Sequence, residues 1–167
     1  MVWQPFYIAA LEVRAQAKHR VMMAPIYAAF SKEHKAVPKL HEFLRGARQA
    51  FIHVNTTLVR EQDPVMLKPC FTPAFWEQIK EVGSTLEQDR RDHGDSYELK
   101  FTEVTPYLNE VIYNDEEGKL LVEVEYFSQY SFRFEAPESA RETRFNTVLF
   151  EASMKEKEPT FRISRSE

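Results

Sequence analysis

Cys70 is the one thiol in the chain and the first candidate for covalent chemistry. A cysteine nucleophile acts as the thiolate and needs an adjacent base or an electropositive niche to form it. No histidine adjoins Cys70 in the sequence, which points to a small buried hydrophobe instead. General acid–base work asks for a titratable group aimed into an apolar pocket. His41 and His53 fall off the apolar stripe of their helix, and His93 sits in a polar run, so all three read as solvated surface residues. No set of histidine, cysteine and carboxylate has zinc-ligand spacing, and the 4 glycines are too scattered to cradle a phosphate. Asp115-Glu116-Glu117 is a solvated hairpin tip, far short of a calcium loop. Arg90-Arg91 could anchor phosphate, but Asp89 and Asp92 flank the pair and imply local charge balance. Asn55-Thr56-Thr57 matches a glycosylation acceptor formally, yet it falls mid-helix in a chain with no secretory pattern, as a chance match would. The expectation is no catalytic residue, no cofactor and no metal.

If chemistry does not explain these residues, the elements that carry them must. At 167 residues and 43% hydrophobic, the chain can bury one core, and a single cysteine fits a reducing compartment. No apolar run approaches the roughly 18 to 20 residues that span a bilayer. Charge is unevenly spread. Residues 1–37 carry Arg14, Lys18, Arg20, Lys32 and Lys35 against Glu12 and Glu33, whereas the remainder is strongly acidic and brings the whole chain to −4. An acidic body repels phosphate backbones, so nucleic acid is an unlikely partner except within a ribosomal particle.

Residues 38–60 predict a helix opened by Pro38, with Phe43, Ala47, Ala50, Phe51, Val54 and Leu58 at the spacing of one buried stripe and Leu44 widening it. Gly46, unfavourable in a helix interior by about 1 kcal/mol, implies the close approach of another backbone. Asp63-Pro64 breaks the helix. Thr72-Pro73 restarts one, with Phe75, Ile79, Val82 and Leu86 on its apolar face, and it ends in a solvated Asp89–Asp95 loop. From Tyr97 the period becomes two. A strand around Tyr107–Tyr113 turns through Asn114–Gly118 into a long strand, Leu120 to Phe134. Two more strands, Glu142–Met154 and Thr160–Ser164, complete a meander. The prediction is an α+β fold: N-terminal helices packed on a curved four-stranded antiparallel sheet, with residues 1–37 a helical extension and 38–167 the domain.

Two surfaces stand out as contact sites. In the extension, Phe6, Ala10, Val13, Ala17 and Val21 recur at helical spacing; Trp3, Phe6 and Tyr7 form an aromatic tip, and Arg14, Lys18 and Arg20 supply charge. Such a helix can lie on anionic lipid or pack on protein, and it resembles a matrix-targeting segment. On the sheet, Leu121 and Phe127 face the polar side of the long strand, where Phe145 and Leu149 of the next can join them as a partner face.

The run FLRGARQAF, Phe43 to Phe51, resembles the FLxGA+xAF opening of the Tim-forty-four-like domain family. The resemblance continues through Phe71-Thr72-Pro73, Phe75-Trp76 and the strands that follow, over roughly residues 38–165. It implies the cone-shaped, cystatin-like fold of the nuclear-transport-factor-two-like superfamily. Known members include the matrix-side tether of the mitochondrial import motor and a protein of the mitoribosomal large subunit. The implied role is a non-catalytic, peripheral subunit on the matrix side of the inner membrane, among other protein subunits and with anionic lipid as a further contact. The acidic body favours a respiratory or ATP-synthesising complex. Alternatives are a mitoribosomal or import-motor adaptor, and a small cone-fold enzyme or lipid carrier.

Overall fold

The computed structural model describes residues 40–60, 64–94, 97–114, 116–132, 141–157 and 159–166. Helix α1 (Leu40–Arg60), a 3-10 helix (Pro64–Cys70) and helix α2 (Pro73–His93) precede strands β1 (Leu99–Asn114), β2 (Lys119–Phe132), β3 (Glu142–Ser153) and β4 (Arg162–Ser166). All neighbouring strands are antiparallel, in the order β1-β2-β3-β4. Helices first and an open antiparallel sheet last make an α+β fold, as the change of period predicts.

α1 buries Phe43, Ala47, Phe51, Val54 and Leu58, with Leu44 and Ala50 half-buried beside them. The aromatic members pin it across the sheet. Phe43 meets Phe150 and Phe161 edge-on at 5.6 and 4.9 Å, while Phe51 stacks on Tyr126 at 4.3 Å. Tyr126 is fully buried, and its hydroxyl donates to the Ala47 carbonyl at 2.9 Å. Arg48, off the stripe, reaches past the helix edge to donate from Nε to the Val104 carbonyl at 2.8 Å. Asn55 lies within the helix and its amide donates to Phe51 O, as suits a chance acceptor motif. Gly46 corrects the expectation of a close backbone: it is exposed, and a Cβ there meets nothing within 4 Å outside its own helix. Gly46→Ala is therefore expected to stabilise the chain by about 0.5–1 kcal/mol, through lower unfolded-state entropy and better helix propensity. Urea unfolding reads it directly.

Pro73 occupies the first turn of α2 and Thr72 is its N-cap, in an extended conformation with no side-chain cap bond. The Thr72 N–H instead donates to Ile163 O at 2.9 Å, beside an isolated parallel bridge between Phe71 and Ile163. The start of α2 is thus fastened to the last strand. Its buried face is rotated from the predicted one. Val82 is 45% exposed, and Phe75, Trp76, Ile79, Gly83 and Arg90 turn inward. Pro64 packs against this face, its ring 3.6 Å from where a Gly83 Cβ would stand, an ordinary van der Waals distance. Arg90, expected in a solvated loop, is 8% exposed and donates to Leu58 O at 2.8 Å and Gly83 O at 2.9 Å. Leu58 O belongs to the last turn of α1, where carbonyls lack helical partners. The helix itself runs on to His93, whose ring stacks on Tyr97. Cys70 closes the 3-10 helix half-buried, and burial pushes its thiol up, away from thiolate chemistry.

The β1–β2 turn is built from local chemistry. Asn114 Oδ1 accepts from the N–H groups of Glu116 and Glu117, and Gly118 takes φ 64°, a conformation that favours glycine. β1 begins at Leu99, well before the predicted strand, because register shifts between Phe101 and Glu103 and between Leu108 and Glu110 break its alternation. Pro106 is tolerated because β1 is an edge strand. β2 ends at Phe132; Phe134 lies outside the described residues. β4 starts at Arg162, two positions later than predicted. On the helix side, Leu120, Val122, Val124 and Tyr126 of β2 are at most 1% exposed.

Tyr126 gives the core a pH limit. Burial holds its phenol far above the usual tyrosine range, so it stays neutral when folded. Its folded pKa is raised, so its contribution is complete below the unfolded value, near 10, and is lost as pH rises above it. Above that pH, stability is expected to fall by about 1.4 kcal/mol per pH unit from this group alone. Tyr126→Phe should lose the slope while costing about 1 kcal/mol at neutral pH for its hydrogen bond. Urea unfolding from pH 9 to 11.5 compares the two.

Candidate functional site: the open face of the sheet

Both helices pack on one side of the sheet, and the other side carries apolar side chains that are in part buried, as Tyr107 and Phe127 are, and in part exposed. Register decides what gathers there. Phe127 pairs directly with Phe145, Leu121 sits between Ile112 and Glu151, and Glu123 between Glu110 and Leu149. Cross-strand partners point the same way, so Leu121, Phe127, Phe145 and Leu149 share one face, as expected. Phe145 is 62% exposed and Ile112 44%, while Leu121 and Leu149 are half-buried.

Phe127 departs from the expectation. It is only 2% exposed, with the Phe145 ring 5.3 Å from its own. Of this cross-strand pair Phe127 is the buried member and Phe145 the exposed one. Ile112, missed in the sequence, joins the face through its pairing with Leu121; the bulge at Leu108/Glu110 hid the periodicity that would have found it.

Carboxylates run between and beside these side chains: Glu123 and Glu125 separate Leu121 from Phe127 along β2, and Glu103, Glu110 and Glu151 share the face with Lys100, Lys119 and Arg165. Lys119 bonds Glu117 and Glu151 at 3.0 and 3.1 Å, and those bonds hold its ammonium above the usual lysine range. Arg165 lies 3.6 Å from Glu123. Glu110 and Glu123 face one another directly across the strands, an arrangement that disfavours the isolated sheet.

At the far end of β2, on the helix side, Tyr130 donates to Glu142 Oε2 at 2.8 Å, and Arg144 donates to the same oxygen at 3.0 Å. The tyrosine hydrogen bond, more than the guanidinium, holds the Glu142 carboxyl below its usual range. All three side chains are satisfied by one another. His41 and His53 are exposed, as expected. Among the described residues no group of three or more histidine, cysteine or carboxylate side chains could hold a metal, and no helix is long and apolar enough to cross a membrane. Trp3, Phe6, Tyr7, Arg14, Lys18 and Arg20 lie outside the described residues.

No protein-family model matches the chain, and no curated protein matches its sequence. Among solved structures it is similar to the crystal structure of the intermembrane space region of the chloroplast protein ARC6, at 16% identity and a TM-score of 0.39, covering 74% of this chain and 94% of that one.

Proposed function

We propose that this chain is a non-catalytic accessory subunit of a mitochondrial inner-membrane assembly, held peripherally on the matrix side. The observation that carries this reading is Phe145, 62% exposed on the sheet face the described helices leave open, with Leu149, Leu121 and Ile112 on the same face. Exposed apolar side chains of this kind, with Glu123, Glu125 and Thr147 between Phe145 and the other three, point to a partner surface of mixed character. The resemblance of FLRGARQAF to the Tim-forty-four-like opening supports the mitochondrial placement. The acidic body supports a respiratory-chain or ATP-synthase host over a ribosomal particle. Partners are then other protein subunits, with anionic lipid as a second contact.

The test is gentle detergent extraction of the native membrane, native-gel separation and mass spectrometry of what migrates with the chain. Respiratory or ATP-synthase subunits are expected. Ribosomal or import-motor partners would make it an adaptor of those machines, and a free 19.7 kDa monomer would sink the reading. Phe145→Glu is expected to release the chain from its host at a cost of about 1 kcal/mol to its own stability, since the ring also lies against Phe127.

A further inference from the structure

Between α1, α2 and the helix side of the sheet lies a partly open cavity of about 340 Å³. We propose that it is a binding site for an uncharged, chain-like apolar molecule with a single hydroxyl or ester head. This inference rests on the cavity alone and is independent of the assembly reading.

The walls set the chemistry of the ligand body. Phe51 and Leu58 come from α1, Phe75 and Ile79 from α2, and Val148 and Ile163 from the sheet; each is less than one-tenth exposed. Water needs two to four polar partners to settle in a cavity, and these walls offer it none. Tyr126 also lines the space, but its hydroxyl is already committed to Ala47 O. The interior therefore suits hydrocarbon.

The remaining lining residues set the chemistry of the head. Asn55, Gln78 and Ser166 are the other polar side chains lining the cavity; Gln78 and Ser166 are exposed and Asn55 half-buried, which places them toward its mouth, with Val82 beside them. Amides and a hydroxyl can exchange hydrogen bonds with an alcohol or an ester. Among the described residues, no lysine, arginine, histidine or carboxylate lines the cavity. A charged head would give up part of its hydration at the mouth and meet no counter-charge, so the site favours neutral ligands. Size sets the length. A dry cavity of about 150 Å³ accommodates benzene, so this one, roughly twice as large, takes about ten to twelve carbons.

The test titrates the full chain with decan-1-ol and, separately, with decanoate at pH 7, following heat of binding and melting temperature. Two variants accompany it: Val148→Phe, which fills the interior, and Val82→Trp, which narrows the mouth at an exposed position where folding is little affected. Saturable one-to-one binding of decan-1-ol is expected, at least tenfold tighter than decanoate, and weakened at least tenfold by either variant. If Val148→Phe does not fold, Val82→Trp decides alone. Absence of saturable binding, equal binding by Val82→Trp, or tighter binding of decanoate would overturn the proposal.

Discussion

Phe51→Ala is expected to remove about 4 kcal/mol of stability, a large share of what a domain of this size possesses. The ring is 7% exposed, stacks on Tyr126 at 4.3 Å and lies 5.7 Å from Phe101, so it joins α1 to both β1 and β2. Truncation costs the transfer energy of the ring plus that of the space left behind, and the second part depends on collapse. Collapse is obstructed here. Tyr126 is held by its bond to Ala47, and the vacated volume merges with the cavity that Phe51 already lines. Phe51→Leu, which keeps most of the volume, should cost less than half as much. Urea unfolding should show the midpoint falling with an unchanged slope. A loss below about 1 kcal/mol would mean that α1 does not lie across the sheet as described.

Arg90→Ala is expected to cost about 2–3 kcal/mol. Two hydrogen bonds from a charged donor are lost, one to the last turn of α1 and one to α2 itself. Against that stands relief of a cost. The Arg90 Nε is buried without a partner among the described residues, and removing a desolvated cation returns part of the loss. Arg90→Met separates the contributions, because it keeps the packing of the stem and removes the donors. It should cost roughly 1–2 kcal/mol, with faster amide exchange concentrated at the C-terminal turn of α1. Equal exchange in Arg90→Met and the parent would show that the guanidinium does not fasten that turn.

These two residues also mark how far the sequence could be read. Phe51 was legible because α1 has a regular stripe with one partner surface. Arg90 was not, although it continues the line from Phe75 through Ile79, Gly83 and Leu86. An arginine on an apolar stripe reads as a boundary, and nothing local shows that two carbonyls await it. Val82 and Gly83 exchanged roles for a similar reason: the Pro64 ring that packs beside Gly83 belongs to another element. In the sheet, the uninterrupted alternation of β2 was plain, whereas the two bulges of β1 hid its first half and Ile112 with it. Of the open face, the shared orientation of Leu121, Phe127, Phe145 and Leu149 followed from period-two counting. The depth of Phe127 did not, because shelter on a central strand depends on both neighbours.

The tie between Thr72 and Ile163 can form only once the last described strand has been made. During synthesis the helices emerge before any strand that can cover them. Phe43, Phe51 and Phe75 must therefore wait, apolar faces outward, while the β1–β2–β3 meander zips together from its tight turn. The bond between Tyr126 and Ala47 closes a separation of 79 residues, and the clasp of β4 on the start of α2 comes later still. Contacts that distant slow folding and leave partly folded chains sticky. The nascent protein should thus dwell on holding chaperones until its final strand is released, and a stall within β3 should leave a species that aggregates rather than one that works.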